Sequence, residues 1–240
     1  MRVVFLAIVL AVFSHPAIAQ GISLDLGDGG SLSTRTVQLF ALVTVLSIVP
    51  GIAIMVTCFP FIVTVLAILR QAIGLQQSPP NMLMVSLALF LTYFVMEPVF
   101  TAAYNQGISP LLNGALDIED AFQATMEPLK GFMSARLDPD TFEELAALRP
   151  DLPSGTTINN APLSIMVPSF LLSEMERAFQ VGFLIFLPFL IIDLVVAAVL
   201  MSMGMMMVPP AIVSLPFKLS FFVVADGWSL IAASLVRSYS

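Results

Sequence analysis

The residues of this sequence that could do chemistry are few, and most stand where charge is expensive. Glu97, Asp193, Lys218 and Asp226 fall inside apolar stretches, and Glu174, Glu176 and Arg177 gather at the head of the one that holds Asp193. An ionisable group at the centre of a membrane helix costs about 2.5–3.5 kcal/mol on insertion scales, so each is a candidate for function. A lone Lys218 facing lipid is implausible, and its expected partner is Glu174, Asp193 or Asp226, from the same chain or a neighbouring copy. Such pairs either lock helices together or carry protons, and these groups are too scattered to form a relay.

Two further side-chain types narrow the chemistry. His15 is the only histidine and Cys58 the only cysteine. Cys58 sits in an apolar run and reads as a buried, inert thiol. His15 lies within an expected signal peptide, and its removal would take away metal sites and histidine acid–base chemistry together. The sequence therefore calls for no catalytic residue, no metal and no cofactor. Methionine is the opposite case, for Met201, Met203, Met205, Met206 and Met207 crowd around Gly204 and Pro209-Pro210. Three consecutive residues spread over about half a helix circumference, so Met205–Met207 fit a loop better than a helix face. Thioether side chains adapt to irregular gaps. On a ring of such loops they would form a deformable apolar constriction; in a lone hairpin they would fill turn gaps or meet lipid. Ala178 and Gly182, four apart, fit close helix packing of the small-xxx-small kind.

The elements that must position these residues are apolar helices. The chain has 240 residues, 58% hydrophobic and only 10% charged, against roughly 25% charged in a soluble domain. Too little charge remains to cover a water-facing surface. The net charge of -7 argues against a nucleic-acid partner. Residues 1–19 read as a cleaved secretory signal, with Arg2, an apolar run from Val3 to Phe13, and Ala17-Ile18-Ala19 as cleavage site; the alternative is an anchor helix, for which the apolar run is short. A polar exported linker follows (20–36).

Residues 37–104 are expected to form a first helical hairpin. Pro50-Gly51 and Pro60 would break its first segment, either as kinks or around a cavity, and Glu97-Pro98 falls in its second. Residues 105–166 hold most of the acids and show helical spacing, with a helix start at Asp138-Pro139 and a stop at Arg149-Pro150. They read as short amphipathic helices on the exported side. Residues 167–240 form a second hairpin carrying the methionine loop. The whole is an all-α membrane protein: two broken-helix hairpins, about four apolar segments, and a small exported helical region. The turns at 71–81 and 204–210 are expected on the cytoplasmic side.

Two longer motifs carry a resemblance. The run from Val167 to Phe183 (VPSFLLSEMERAFQVGF) resembles the first signature of the flagellar biosynthesis protein FliP family, and Pro216 to Trp228 (PFKLSFFVVADGW) resembles its second. Between them, Ser202 to Pro210 is similar to the family's methionine-rich loop. The match is close over 162–240 and loose over 36–104; Ser169, Met175 and Ser220 are mild departures. The resemblance implies a core subunit of the type III export gate in the flagellar basal body at the bacterial inner membrane. It implies about five copies in a pore-forming oligomer with two small membrane partners, the Q and R subunits. The large A and B export-apparatus subunits and unfolded exported proteins are the further partners implied. The pore gasket then falls on Met205, Met206 and Met207, with Met203 beside them. Glu174 and Lys218, one in each signature, become a candidate charge pair, with Asp193, Asp226 and Arg177 as further assembly charges. Gly227 joins Ala178 and Gly182 as a packing position, and Asp226-Gly227-Trp228 marks a helix irregularity. A small-solute transporter would show internal repeats and more spans, and an intramembrane enzyme would need a nucleophile and base that the chain lacks.

Overall fold

The computed structural model describes residues 32–75, 78–150, 152–153, 155–205 and 207–239, with backbone alone for 32–35. The expected signal peptide, most of the linker, His15 and Met206 lie outside the described residues. The chain divides after Ser47 into two compact units, and α1 (Leu32–Met55) contains the boundary. From Thr36 to Met55 this helix is exposed on every face and long enough to cross a membrane.

Pro50-Gly51 does not interrupt α1, contrary to the expectation from sequence. Proline is tolerated inside apolar helices where local adjustment re-satisfies the freed carbonyl. The break comes at Val56–Cys58. There the Thr57 hydroxyl donates to the Ile54 carbonyl (2.9 Å) and accepts from the Phe59 N–H (3.4 Å), bridging groups that the lost helix leaves open. Pro60 then opens α2 (Phe59–Ile73) at a position where its missing N–H has no role.

α2 is the centre of the second unit. Its buried positions, Phe61, Ile62, Val65, Leu66, Leu69, Ala72 and Ile73, repeat at helical spacing. Gly74 ends it in the left-handed conformation (φ 89°), which glycine alone adopts without strain. α3 (Asn81–Ala103) returns antiparallel to α2: Arg70 reaches Asn81 at one end, and Cys58 Sγ lies 4.0 Å from the Thr92 carbonyl at the other. A π-helical turn (Tyr104–Ile108) and α4 (Ser109–Leu112) extend α3 into one apolar helix of 32 residues.

The acid-rich stretch supplies α5 (Ile118–Arg136) and α6 (Pro139–Ala147). Each is opened by an aspartate, Asp117 accepting from the Asp120 N–H and Asp138 from the Thr141 N–H. Met133, Leu137 and Phe142 pack on Ile165, Met166 and Phe170, forming a second core. That second core sits on the first turns of α7 (Leu163–Ser202), a single 40-residue helix that runs through Pro168 and Pro188. α8 (Pro210–Val224) folds back along α7, and α9 (Gly227–Arg237) leaves it at 62°. The protein is all-α, and among the described residues three helices have membrane-crossing length and composition, with a fourth span if the bent α8–α9 pair is one.

Candidate functional site

The α7–α8 hairpin brings the intramembrane charges together. Asp193 and Lys218 stand almost equally far in sequence from the middle of the turn between the two helices, so antiparallel packing sets them opposite each other. Lys218 Nζ lies 2.6 Å from Asp193 Oδ2 and 3.2 Å from the Ala72 carbonyl of α2, to which it donates. Asp193 also accepts from the Ser214 hydroxyl one turn before Lys218. Lys218 is buried, and the Asp193 side chain is 32% exposed. One ammonium thus ties α7, α8 and α2 in a place where an unpaired charge would be strongly unfavourable.

Glu174 does not pair with Lys218. It lies 19 residues before Asp193 on the same helix, about 28 Å at 1.5 Å per residue. Its partners are Arg136, at the end of α5, with Nε 3.0 Å from Oε1, and the Tyr239 hydroxyl, which donates to Oε2. Glu174 is fully buried. Arg136 also donates to the Ser238 carbonyl (2.8 Å) and stacks over the Tyr239 ring at 4.1 Å, with Phe61 of α2 beyond at 5.8 Å. Burial and the neighbouring Glu174 charge push the Tyr239 phenol well above the usual tyrosine range, so it stays a donor. Beside this cluster Ser173 accepts from the Asp138 N–H (2.9 Å), joining the start of α6 to α7. Arg136 and Tyr239 escape sequence reasoning because neither lies in an apolar span, where charges draw notice. The nearest signal is Arg136 closing an amphipathic helix otherwise rich in acids.

At the hairpin tip the chain leaves helical geometry after Ser202 and re-enters it at Pro210. Gly204 adopts φ 78° to make the turn. Met201, Met203 and Met205 are half exposed, and Met207 is 98% exposed. Met203 and Met205 line an apolar groove of about 740 Å³ between the helices, with Val195, Val199, Val208 and Phe217. The turn thus carries soft side chains on both its inner and outer sides, above a hairpin fixed by the Asp193–Lys218 pair.

The remaining candidates take other roles. Ala178 is fully buried, and Gly182 lies so close to α2 that a Cβ there would collide with Ile68. Gly227 is covered by the Phe222 ring, on which Trp228 rests edge-on at 5.4 Å. Asp226 has φ 47° at the α8–α9 bend and accepts from the Ser229 hydroxyl, far from Lys218. Arg177 is half buried and has no ion pair among the described residues, and Glu97 is exposed on α3. Among the described residues no three metal-ligating side chains converge.

Residues 42–235 match the FliP family. The flagellar biosynthetic protein FliP of Caulobacter vibrioides is 52% identical over 237 residues, covering 98% of this chain and 89% of the relative. That of Rhizobium meliloti is 48% identical, covering 88% and 86%, and that of Bacillus subtilis 47%, covering 86% and 93%. A match spanning both hairpins, the turn and the intervening helices leaves no separate piece of the fold unaccounted for, and the chain belongs to the FliP family.

Proposed function

We propose that this chain is a pore and gate subunit of the flagellar type III protein export apparatus, conducting unfolded flagellar subunits across the bacterial inner membrane. Family membership and the relatives' names support the flagellar assignment, and the apolar helices support a membrane location. The observation that carries the gate is the methionine turn, with Met207 almost wholly exposed at the tip of a hairpin whose helices are locked beneath it. About five copies, together with the small Q and R subunits, would set these turns around one conduit. Met203, Met205, Met206 and Met207 would then form an apolar constriction that excludes water and ions by dewetting. Unbranched thioethers can yield to a passing polypeptide and close behind it. The A and B subunits would deliver substrates, and the chain itself would act as a structural element rather than an enzyme.

The test is electrical. The assembled complex carrying Met205→Gly, Met206→Gly and Met207→Gly, reconstituted in planar bilayers, is expected to leak ions that the unaltered complex retains. Equal conductance from the two would reject the gate.

A further inference from the structure

A second groove of about 700 Å³ runs beside α2, lined by Val63, Thr64, Ala67, Ile68 and, across from them, Phe179 of α7 and Ala211 at the start of α8. Its size is in the range of small-molecule sites, and from Val63 to Arg70 it follows about 10 Å of helix. The floor is apolar. At one end stand Arg70 and Gln71.

Arg70 is an unusual cation for this setting. Its Nη1 donates to the Pro79 carbonyl (3.3 Å) and to Asn81 Oδ1, both neutral acceptors. Among the described residues no carboxylate lies within ion-pair distance of it, and none of its bonds is made by Nε or Nη2. The other cations at the heart of the fold, Lys218 and Arg136, each have an aspartate or glutamate. A half-buried guanidinium with two donor nitrogens in hand and no counter-charge, at the mouth of an apolar trough in a membrane protein, is complementary to one kind of molecule. The fork matches two oxygens of a phosphate diester, and the trough matches an acyl chain. Basic residues between membrane helices hold anionic lipid head groups in this way.

We infer that Arg70 and the α2–α7 groove form a binding site for an anionic phospholipid, the phosphate on the guanidinium and one acyl chain along Ala67 and Ile68. The lipid supplies the missing counter-charge and covers apolar surface that α2 leaves open. None of the turn's methionines lines the groove, and the site does not depend on the gate reading.

Native mass spectrometry of the full-length chain in detergent, with added phosphatidylglycerol or phosphatidylcholine, tests the site. The unaltered chain is expected to retain phosphatidylglycerol about tenfold better, the scale of one charge-assisted contact. Arg70→Gln should abolish the preference, and Arg70→Lys should keep part of it. Because Arg70 also braces the turn before α3, a second variant leaves it intact: Ala67→Trp, at an exposed position, fills the trough and should reduce retention of both lipids. Equal retention of the two lipids by the unaltered chain, or unchanged preference in Arg70→Gln, would overturn the proposal. Displacement of the lipid by inorganic phosphate would do so too, reducing the site to a plain anion site. A preference found in the lone chain but absent from the assembled complex would assign the groove to a neighbouring protein helix instead.

Discussion

At the scale of single residues, the two buried ion pairs predict unequal penalties. In the Asp193–Lys218 pair, the lysine side chain is 7% exposed and the aspartate 32%. Removing the carboxylate leaves a buried ammonium with only the Ala72 carbonyl, while removing the ammonium leaves a less buried carboxylate that keeps the Ser214 hydroxyl. Breaking a buried pair from one side costs about 3–5 kcal/mol at full burial. Asp193→Asn should therefore lower the thermal midpoint of the detergent-solubilised protein more than Lys218→Gln does. Exchanging the two residues should restore part of the loss, and placing lysine at Glu174 should restore none of it to a Lys218→Glu variant. Equal losses from the two single variants would contradict the asymmetry. The Glu174 cluster adds a dependence on pH. Tyr239 has its phenol pushed up, first by burial and then by Glu174. A raised pKa in the folded state means that the contribution of the neutral phenol is complete below the ordinary tyrosine value of about 10 and is lost only as pH rises through the elevated one. Tyr239→Phe should therefore destabilise equally at neutral pH and at pH ~9, by about 1.5–3 kcal/mol for a hydrogen bond to a charged acceptor. A penalty that fades between those two pH values would show that the phenol ionises normally.

At the scale of elements, glycine marks where helices meet too closely for a side chain. The atoms nearest a Cβ at Gly182 all belong to the Ile68 side chain, Cδ1 the closest and Cγ2 at 3.0 Å, and its far end can rotate. A Cβ at Gly107, in the π-helical turn, would meet Thr125 and two backbone atoms of α5, the Ala121 carbonyl oxygen at 2.6 Å and the Thr125 nitrogen at 2.7 Å. Side chains yield and backbones do not, so Gly107→Ala should sit at or above the upper end of the usual overpacking range of about 1–3 kcal/mol, and Gly182→Ala near the lower end. Limited proteolysis of α5 is the measurement, and equal sensitivity of the two variants would sink the ranking. The same contrast explains what the sequence made legible. Ala178 and Gly182 stood out because their spacing is local, as did the Asp138-Pro139 helix start and the irregularity at Asp226. Even the Asp193–Lys218 pair was readable in principle, since both residues are nearly equidistant from the methionine turn. Gly107 and the Arg136–Glu174–Tyr239 cluster were not, because each depends on which helices the tertiary fold sets side by side. Pro50-Gly51 misled for a related reason: a proline signals a lost hydrogen bond, but whether the helix bends depends on surroundings that the local sequence does not contain.

At the scale of the molecule, the length of α7 constrains how the chain meets a bilayer. Forty residues make a helix of about 60 Å, twice the roughly 30 Å hydrocarbon thickness. Only part of it can lie in lipid, and burial indicates which. Up to Gly182 the helix is largely covered by α2, α5 and α6, with Ile165, Met166, Phe170, Glu174 and Ala178 buried. From Phe183 to Leu200 most positions are partly or fully exposed and apolar, a stretch of about 27 Å, which matches one crossing. The polar helices α5 and α6 are thereby held at one end of the span and the methionine turn at the other. In cells expressing the chain alone on a Cys58→Ala background, a cysteine at Asp140 should react with a membrane-impermeant maleimide added outside the inner membrane. A cysteine at Met207 should react only after the membrane is opened. Both positions lie on exposed surface, so protection of one reports the membrane rather than the fold. Labelling of both from the same side would mean that the apolar half of α7 does not cross the bilayer and is instead covered by other protein, and the burial pattern would then describe an assembly interface.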